Sequence, residues 1–193
     1  ELSTDATDLG GKSGFQEQRP EEYSNWTVVL EECRTRTQIQ DFLLDQVDDD
    51  SLVIVQIDTA EAHLPGYDVA RPDRSRADYA DVLRARVAEK LDDLLGASLS
   101  AGVRYAIAVE ETDAWVLTIH ETQDKRDTGA RLDPKKRLRY VIERTTERRR
   151  GKKRSRKEYD LYHELSQGFR DRKKLESYAT RNRSLELFID SLP

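Results

Sequence analysis

Apolar positions fall along this chain in two rhythms, and their alternation sketches a fold. The run WTVVLEEC (26–33) is β-branched and stopped by acids, which predicts a buried strand. TQIQDFLLDQV (37–47) sets Ile39, Phe42, Leu43 and Val47 at helical spacing behind Thr37, a predicted N-cap. After three aspartates, LVIVQI (52–57) predicts a second buried strand that ends at Asp58. Pro65, Gly66 and Pro72 mark a long loop over 58–75. DYADVLRARVAEKLDDLL (78–95) then puts Tyr79, Val82, Leu83, Val87, Leu91 and Leu94 on one face of an amphipathic helix. The loop GASLSAG (96–102) leads into a third strand, VRYAIAV (103–109). Strand, helix, strand, helix, strand, with strands apolar on both faces, predicts an α/β fold: a parallel sheet covered by helices.

Downstream the period stays helical. Helices are expected over AWVLTIHE, over 133–145 with Asp133 as N-cap and Pro134 in the first turn, and over 184–192 with Ser184 as cap. Leu138, Val141 and Ile142 form the inner side of the second, and Leu185, Phe188, Ile189 and Leu192 that of the third. Residues 1–24 are polar and without period, the composition of a flexible tail. The expected organisation is that tail, an α/β core over 25–134, and a basic helical part over 135–193 packing on the same domain.

Charge changes this picture by dividing it. The net charge of −5 hides 14 Lys and Arg against 29 Asp and Glu in residues 1–134, and 19 against 9 in residues 135–193. Within 135–157 there are 13 basic side chains and two acids, Glu143 and Glu147. Such segregation predicts two working surfaces, an acidic one suited to a divalent cation and a basic one suited to a polyanion. A solvated helix face is the plain alternative for the basic run. No apolar run reaches the ~20 residues of a membrane span, and the one cysteine, Cys33, excludes an internal disulfide. A cytoplasmic protein with no membrane partner is the expectation.

The acids carry the candidate chemistry. The first predicted strand ends at Glu31 and Glu32, the second at Asp58 with Glu61 nearby, the third at Glu110, Glu111 and Asp113. A parallel sheet gathers the carboxyl ends of its strands on one edge, where ligands bind. Clustered carboxylates repel unless a hard cation lies between them, and Mg²⁺ takes one or two carboxylates plus water and phosphate oxygens. Helix capping is the plain reading of any one such acid. Trp115 is expected in the core, His120 and His163 lack the spacing of a zinc site, and Cys33 reads as a packing residue. No phosphate-cradling glycine loop is present, so ATP and dinucleotides are not expected ligands. In the basic run, Arg148, Arg149, Arg150, Lys152, Lys153, Arg154, Arg156 and Lys157 suit a phosphate backbone, with Tyr140, Tyr159 and Tyr162 at its borders to stack bases. An acidic partner protein suits it equally.

The motifs VVLEE, VIVQIDTAEA, AVEETDAWVL, LDPKKRLRYVI and RNRSLELFIDSL, in this order over residues 26–193, resemble the Toprim fold of topoisomerases and primases. They are most similar to the small bacterial Toprim-like proteins, RloB-like and relatives of OLD-type nucleases, encoded beside ABC-type ATPases in anti-phage loci. EETDAWVL matches their acid-x-acid-Ala-Trp signature through Glu111, Asp113, Ala114 and Trp115. The resemblance implies a Mg²⁺- or Mn²⁺-dependent nuclease of bacterial anti-phage defence working with a separate ATPase subunit, with homo-oligomerisation left open. It implies Glu31, Asp58, Glu111 and Asp113 as catalytic residues and Glu31, Glu32, Asp58, Glu61 and Glu111 as metal ligands. The chain departs from the family pattern where Glu32 stands for the usual Gly and where Asp58-Thr59-Ala60 lacks the second acid of Asp-x-Asp. Those departures favour a second reading, a non-catalytic Toprim module that binds nucleic acid or regulates a larger complex.

Overall fold

The computed structural model describes residues 25–44, 52–121, 133–148 and 158–193. At its centre two parallel strands, β1 (Val53–Asp58) and β2 (Val103–Ala108), pair in register from Val53 opposite Val103 to Asp58 opposite Ala108. Around them lie helices α1 (Asn25–Thr35), α2 (Thr37–Leu44), α3 (Tyr79–Leu95), α4 (Ala97–Ser100), α5 (Asp113–His120), α6 (Pro134–Arg148), α7 (Glu158–Leu165), α8 (Arg172–Ala179) and α9 (Arg183–Ile189). The class is mixed α/β, as expected, with a smaller sheet.

The difference lies in residues 26–33, which form helix α1 and not a strand. Trp26, Val29, Leu30 and Cys33 stand at i, i+3, i+4 and i+7, and all four pack in or against the core while Glu31 and Arg34 face solvent. The β-branched run is short enough to serve either period, and burial along one helical stripe decides it. The expected first strand is therefore a helix, the second and third form as β1 and β2, and the loop at 96–102 contains the short helix α4.

Alternation along the strands sorts the interior into layers. Val55 and Ile57 of β1 and Val103 and Ile107 of β2 face one core, closed by Leu30 and Cys33 of α1 and by Leu83, Val87, Leu91 and Leu95 of α3. The i, i+4 row on α3 is buried throughout, and each such side chain contributes about 1.5–3 kcal/mol. Ala106 and Ala108 on the other face of β2 meet Trp115, Ala179 and Leu185, so α5, α8 and α9 cover that face. Small alanines let the indole of Trp115 approach the strand, where it stacks on Phe188 with centroids 5.7 Å apart. A third cluster joins Val116 and Leu117 of α5 to Leu138 of α6 and Leu165 of α7. Helices from 135–193 thus pack on the sheet and on α5. On the opposite face of β1, Ile54 is 47% exposed among the described residues.

Two predicted caps move. The carboxylate of Glu32, not Thr37, receives the first amides of α2, from Gln38 (2.8 Å) and Ile39 (3.1 Å). Asn182, not Ser184, caps α9 by accepting the Leu185 amide at 3.1 Å. Ser184 Oγ instead accepts from Trp115 Nε1 (2.8 Å) and Val109 N (3.2 Å) and donates to Asn182 Oδ1 (2.8 Å). This buried network locks α9 to the end of β2. Asp133 does cap α6, accepting from Lys136 N at 2.8 Å. No helix among the described residues is long and apolar enough to cross a membrane. The predicted tail 1–24 and the end of the helix at 45–47 lie outside the described residues.

Candidate metal centre at the carboxyl ends of the strands

Both strands deliver their last residues to one edge. Thr59, fully buried, ties these ends together: its amide donates to Ala108 O at 3.0 Å and its hydroxyl accepts the Glu110 amide at 2.8 Å. Tyr67 OH donates to Asp58 O at 2.9 Å, fixing the loop that leaves β1. Glu110 takes φ +65°, a left-handed conformation that turns the chain sharply after β2 and sends it into α5.

The acids gathered here fall into two sets. Asp58, at the end of β1, holds the Ala60 amide with Oδ1 at 3.2 Å. Burial raises its carboxyl above the usual range, and the charges of Glu61, Asp113 and Glu110 raise it further against the lowering by Ala60. Glu111 is likewise raised, by burial first and then by Asp113 and Asp58, while the Lys135 amide bonded to its Oε2 at 3.2 Å and the charge of the Lys135 side chain lower it. Asp113 opens α5 and accepts Tyr162 OH on Oδ1 at 2.6 Å. Glu61 is held by the indole N–H of Trp26 on α1. Among the described residues, none of Asp58, Glu111 and Asp113 is in a salt bridge.

The second set is Glu110 alone, which sequence reasoning counted only as one more acid. It is 8% exposed and receives Arg71 at 3.2 Å, Arg74 at 3.1 Å and Tyr79 OH at 2.5 Å. Arg71 also donates to Thr59 O and Ala60 O at 2.8 and 2.7 Å, so one guanidinium braces both strand ends. The available signal was the cluster Arg71, Arg74 and Arg76 inside an otherwise acidic half of the chain.

Two expected ligands are elsewhere. Glu31 sits exposed on α1, paired with Arg34, and Glu32 is engaged in capping α2. Their assignment to the strand-end edge fails because it depended on a strand at 26–33. Asp58, Glu61, Glu111 and Asp113 are brought to that edge. Among the described residues, no three His, Cys, Asp or Glu stand together as a group able to hold a metal ion.

The donor set fits a hard cation only in one form. Asp58, Glu111 and Asp113 each have one oxygen committed to a donor and one without such a bond, and the oxygens are carboxylates with no imidazole or thiolate among them. This suits Mg²⁺ bound by one or two carboxylates with water and substrate oxygens, not a closed all-protein cage.

The remaining candidates have structural surroundings. Trp115 is buried. His120 is half-buried with Nε2 3.1 Å from Leu165 O, and burial pushes its pKa down. Burial, with Glu32 nearby, raises the Cys33 thiol to about 11, which leaves it unreactive at neutral pH. Arg148 ends α6, and Arg149, Arg150, Lys152, Lys153, Arg154, Arg156 and Lys157 lie outside the described residues, as does Tyr159's side chain. No family model, curated protein or solved structure matches the chain.

Proposed function

We propose that this chain is a Mg²⁺- or Mn²⁺-dependent nuclease of Toprim type, with the ion held at the carboxyl edge by Asp58 and one further carboxylate, Asp113 or Glu111, and otherwise by water and substrate oxygens. The observation that carries the reading is the contrast on that edge: half-buried carboxylates without a salt bridge among the described residues, Asp58 with only acids as its charged neighbours, beside one, Glu110, that is paired with two arginines. An unneutralised acid cluster of hard oxygens is favourable once a divalent cation joins it. Such an ion, when bound, supplies a polarised water and charge stabilisation for a phosphodiester in displacement. The chain's own residues position the acids: Ala60 N orients Asp58, Tyr162 orients Asp113, and Lys135 N orients Glu111. Bacterial anti-phage defence beside a separate ATPase subunit is the setting the Toprim resemblance implies.

Glu31 and Glu32, turned away on α1, favour the second reading, a non-catalytic module that binds nucleic acid or regulates a complex. One experiment separates the two. The purified chain is incubated with tRNA, single-stranded DNA and duplex DNA in Mg²⁺, Mn²⁺ or EDTA, beside Asp58→Ala and Glu111→Ala. Cutting that needs the metal and is lost in both variants is the expected result. Cutting that survives EDTA or the substitutions overturns the metal centre at these acids, and salt-sensitive binding without cutting selects the module.

A further inference from the structure

The outward face of α6 carries a feature that the metal centre does not use. Pro134 and Leu138 are buried and Val141 and Ile142 half-buried, so this side of the helix is turned inward, with Leu138 against α5 and α7. The face turned away from it presents Lys136, Tyr140 and Arg144, exposed with Glu143 among them and Lys135 and Arg139 beside them, while Arg137 stands at its edge with Nε paired to the buried carboxylate of Glu121. Tyr140 is 47% exposed, one of two large apolar side chains so exposed among the described residues. Its ring is bracketed by guanidiniums, Arg137 at 5.4 Å and Arg144 at 5.7 Å from the centroid. Between residues 135 and 144 Glu143 is the single acid. A lone exposed ring is ordinary on a protein surface, and it is the pairing of this ring with two guanidiniums on a predominantly basic face that sets α6 apart.

We propose that this face of α6 is a docking platform for single-stranded nucleic acid, with a base stacked on the Arg137–Tyr140–Arg144 group and phosphates met by Lys136, Arg139 and their neighbours. Every base offers a π-face, and both a phenol ring and a guanidinium plane accept one, so the group is receptive whichever member faces the base. Duplex bases are already stacked and offer no free face away from their ends. Charge complementarity fixes a polyanion, and the exposed aromatic selects an unpaired strand over an acidic peptide. The helix also starts at the acids, where the Lys135 amide bonds Glu111. Tyr140 lies five residues further on, about 7.5 Å along the axis at 1.5 Å per residue. Tyr162, expected from the sequence as another stacking residue, is half-buried with its hydroxyl committed to Asp113.

The platform rests on the nuclease reading to the extent that it names that site's substrate, and its test is run in EDTA so that binding is read without cleavage. Fluorescence anisotropy of the full chain would use a labelled 12-nucleotide single strand, as DNA and as RNA, and the matching duplexes. The single strand is expected to bind at least about tenfold more tightly than the duplex, and Tyr140→Ala to weaken it about tenfold, the size of one stacked base. Tyr140→Phe retains the ring and keeps the affinity. Arg139→Ala lowers the slope of log affinity against log salt by about 0.7, the value for one phosphate contact on a single strand. Tyr140 faces outward, so a thermal melt of each variant should match the parent. Equal binding of duplex, indifference to Tyr140→Ala, absence of binding, or displacement of the strand by polyglutamate at equal charge overturns the proposal, the last in favour of an acidic protein partner. Lost cleavage with this binding intact would sink the metal reading alone.

Discussion

Glu110 and Asp58 leave the same edge of one small sheet, and their surroundings are opposite. Glu110 is nearly buried and has two arginines and a phenol on its carboxylate. Asp58 is partly buried and has carboxylates as its charged neighbours. Burying a charge is tolerated when it is paired and hydrogen-bonded, and is costly otherwise. Glu110 therefore satisfies the rule for a stabilising group, and Asp58 breaks it. An acid kept where it costs stability is where function is to be sought. Two carboxylates of identical chemistry, a few residues from each other in space, thus have separate jobs: one holds the edge together, and the other leaves it chemically unfinished.

Removing Glu110 should break the comparison hardest. Glu110→Ala leaves Arg71 facing a void and Tyr79 without its acceptor, and it removes the arginine brace between the ends of β1 and β2 while the amide bonds through Thr59 remain. We expect a loss of about 3 kcal/mol in urea unfolding, toward the lower end of values for breaking a buried pair because Arg74 is 44% exposed. Glu110→Gly removes the same carboxylate but relieves the left-handed backbone, and should be less damaging than alanine by about 1 kcal/mol. Equal stability of Glu110→Ala and the parent would mean that the arginine cluster does not brace the edge.

Adding a cation should sharpen the other side. Mg²⁺ at ten times its dissociation constant stabilises the folded chain by about 1.4 kcal/mol, or roughly 3–6 °C for a protein of this size. The gain should vanish in Asp58→Asn and persist in Glu31→Gln, because Glu31 stands exposed on α1 with Arg34. A Mg²⁺ shift that Asp58→Asn retains would place the ion elsewhere.

The same contrast explains what could be read from the chain. Strands 53–58 and 103–108 and helix α3 were legible because their period is sustained and their burial agrees with it. Residues 26–33 were not, since five apolar residues fit a strand as well as a helix and only packing against α3 and β1 separates the two. Glu31 and Glu32 went wrong with that segment, whereas Asp58, Glu61, Glu111 and Asp113 reached one edge because parallel pairing alone puts them there. The role of Glu110 was hidden for another reason. Its partners lie 31 to 39 residues away, Arg71 and Arg74 in a loop without period and Tyr79 at the start of α3, and contacts of that range leave no mark on local pattern.

The smallest expected effect is also the most discriminating, because its sign changes with conditions. The Asp58 carboxyl is raised in the folded chain, so folding favours its protonated form. Stability from this group is full below the ordinary carboxylate range near pH 4 and is lost as pH rises through the raised value. Asp58→Asn keeps an oxygen for the Ala60 amide and removes the charge. In EDTA at pH 7 it should therefore be more stable than the parent, by on the order of 1 kcal/mol or less, the scale of a screened charge interaction. Below about pH 4 the two should converge, because both are then neutral at this position. Saturating Mg²⁺ at pH 7 should reverse the order, since the parent gains the ion and the variant does not. Urea midpoints at pH 3.5 and 7, each with EDTA and the latter also with Mg²⁺, read all three outcomes. A variant less stable than its parent at pH 7 in EDTA would show Asp58 to be a stabilising group like Glu110, and the contrast from which the metal centre is argued would be gone.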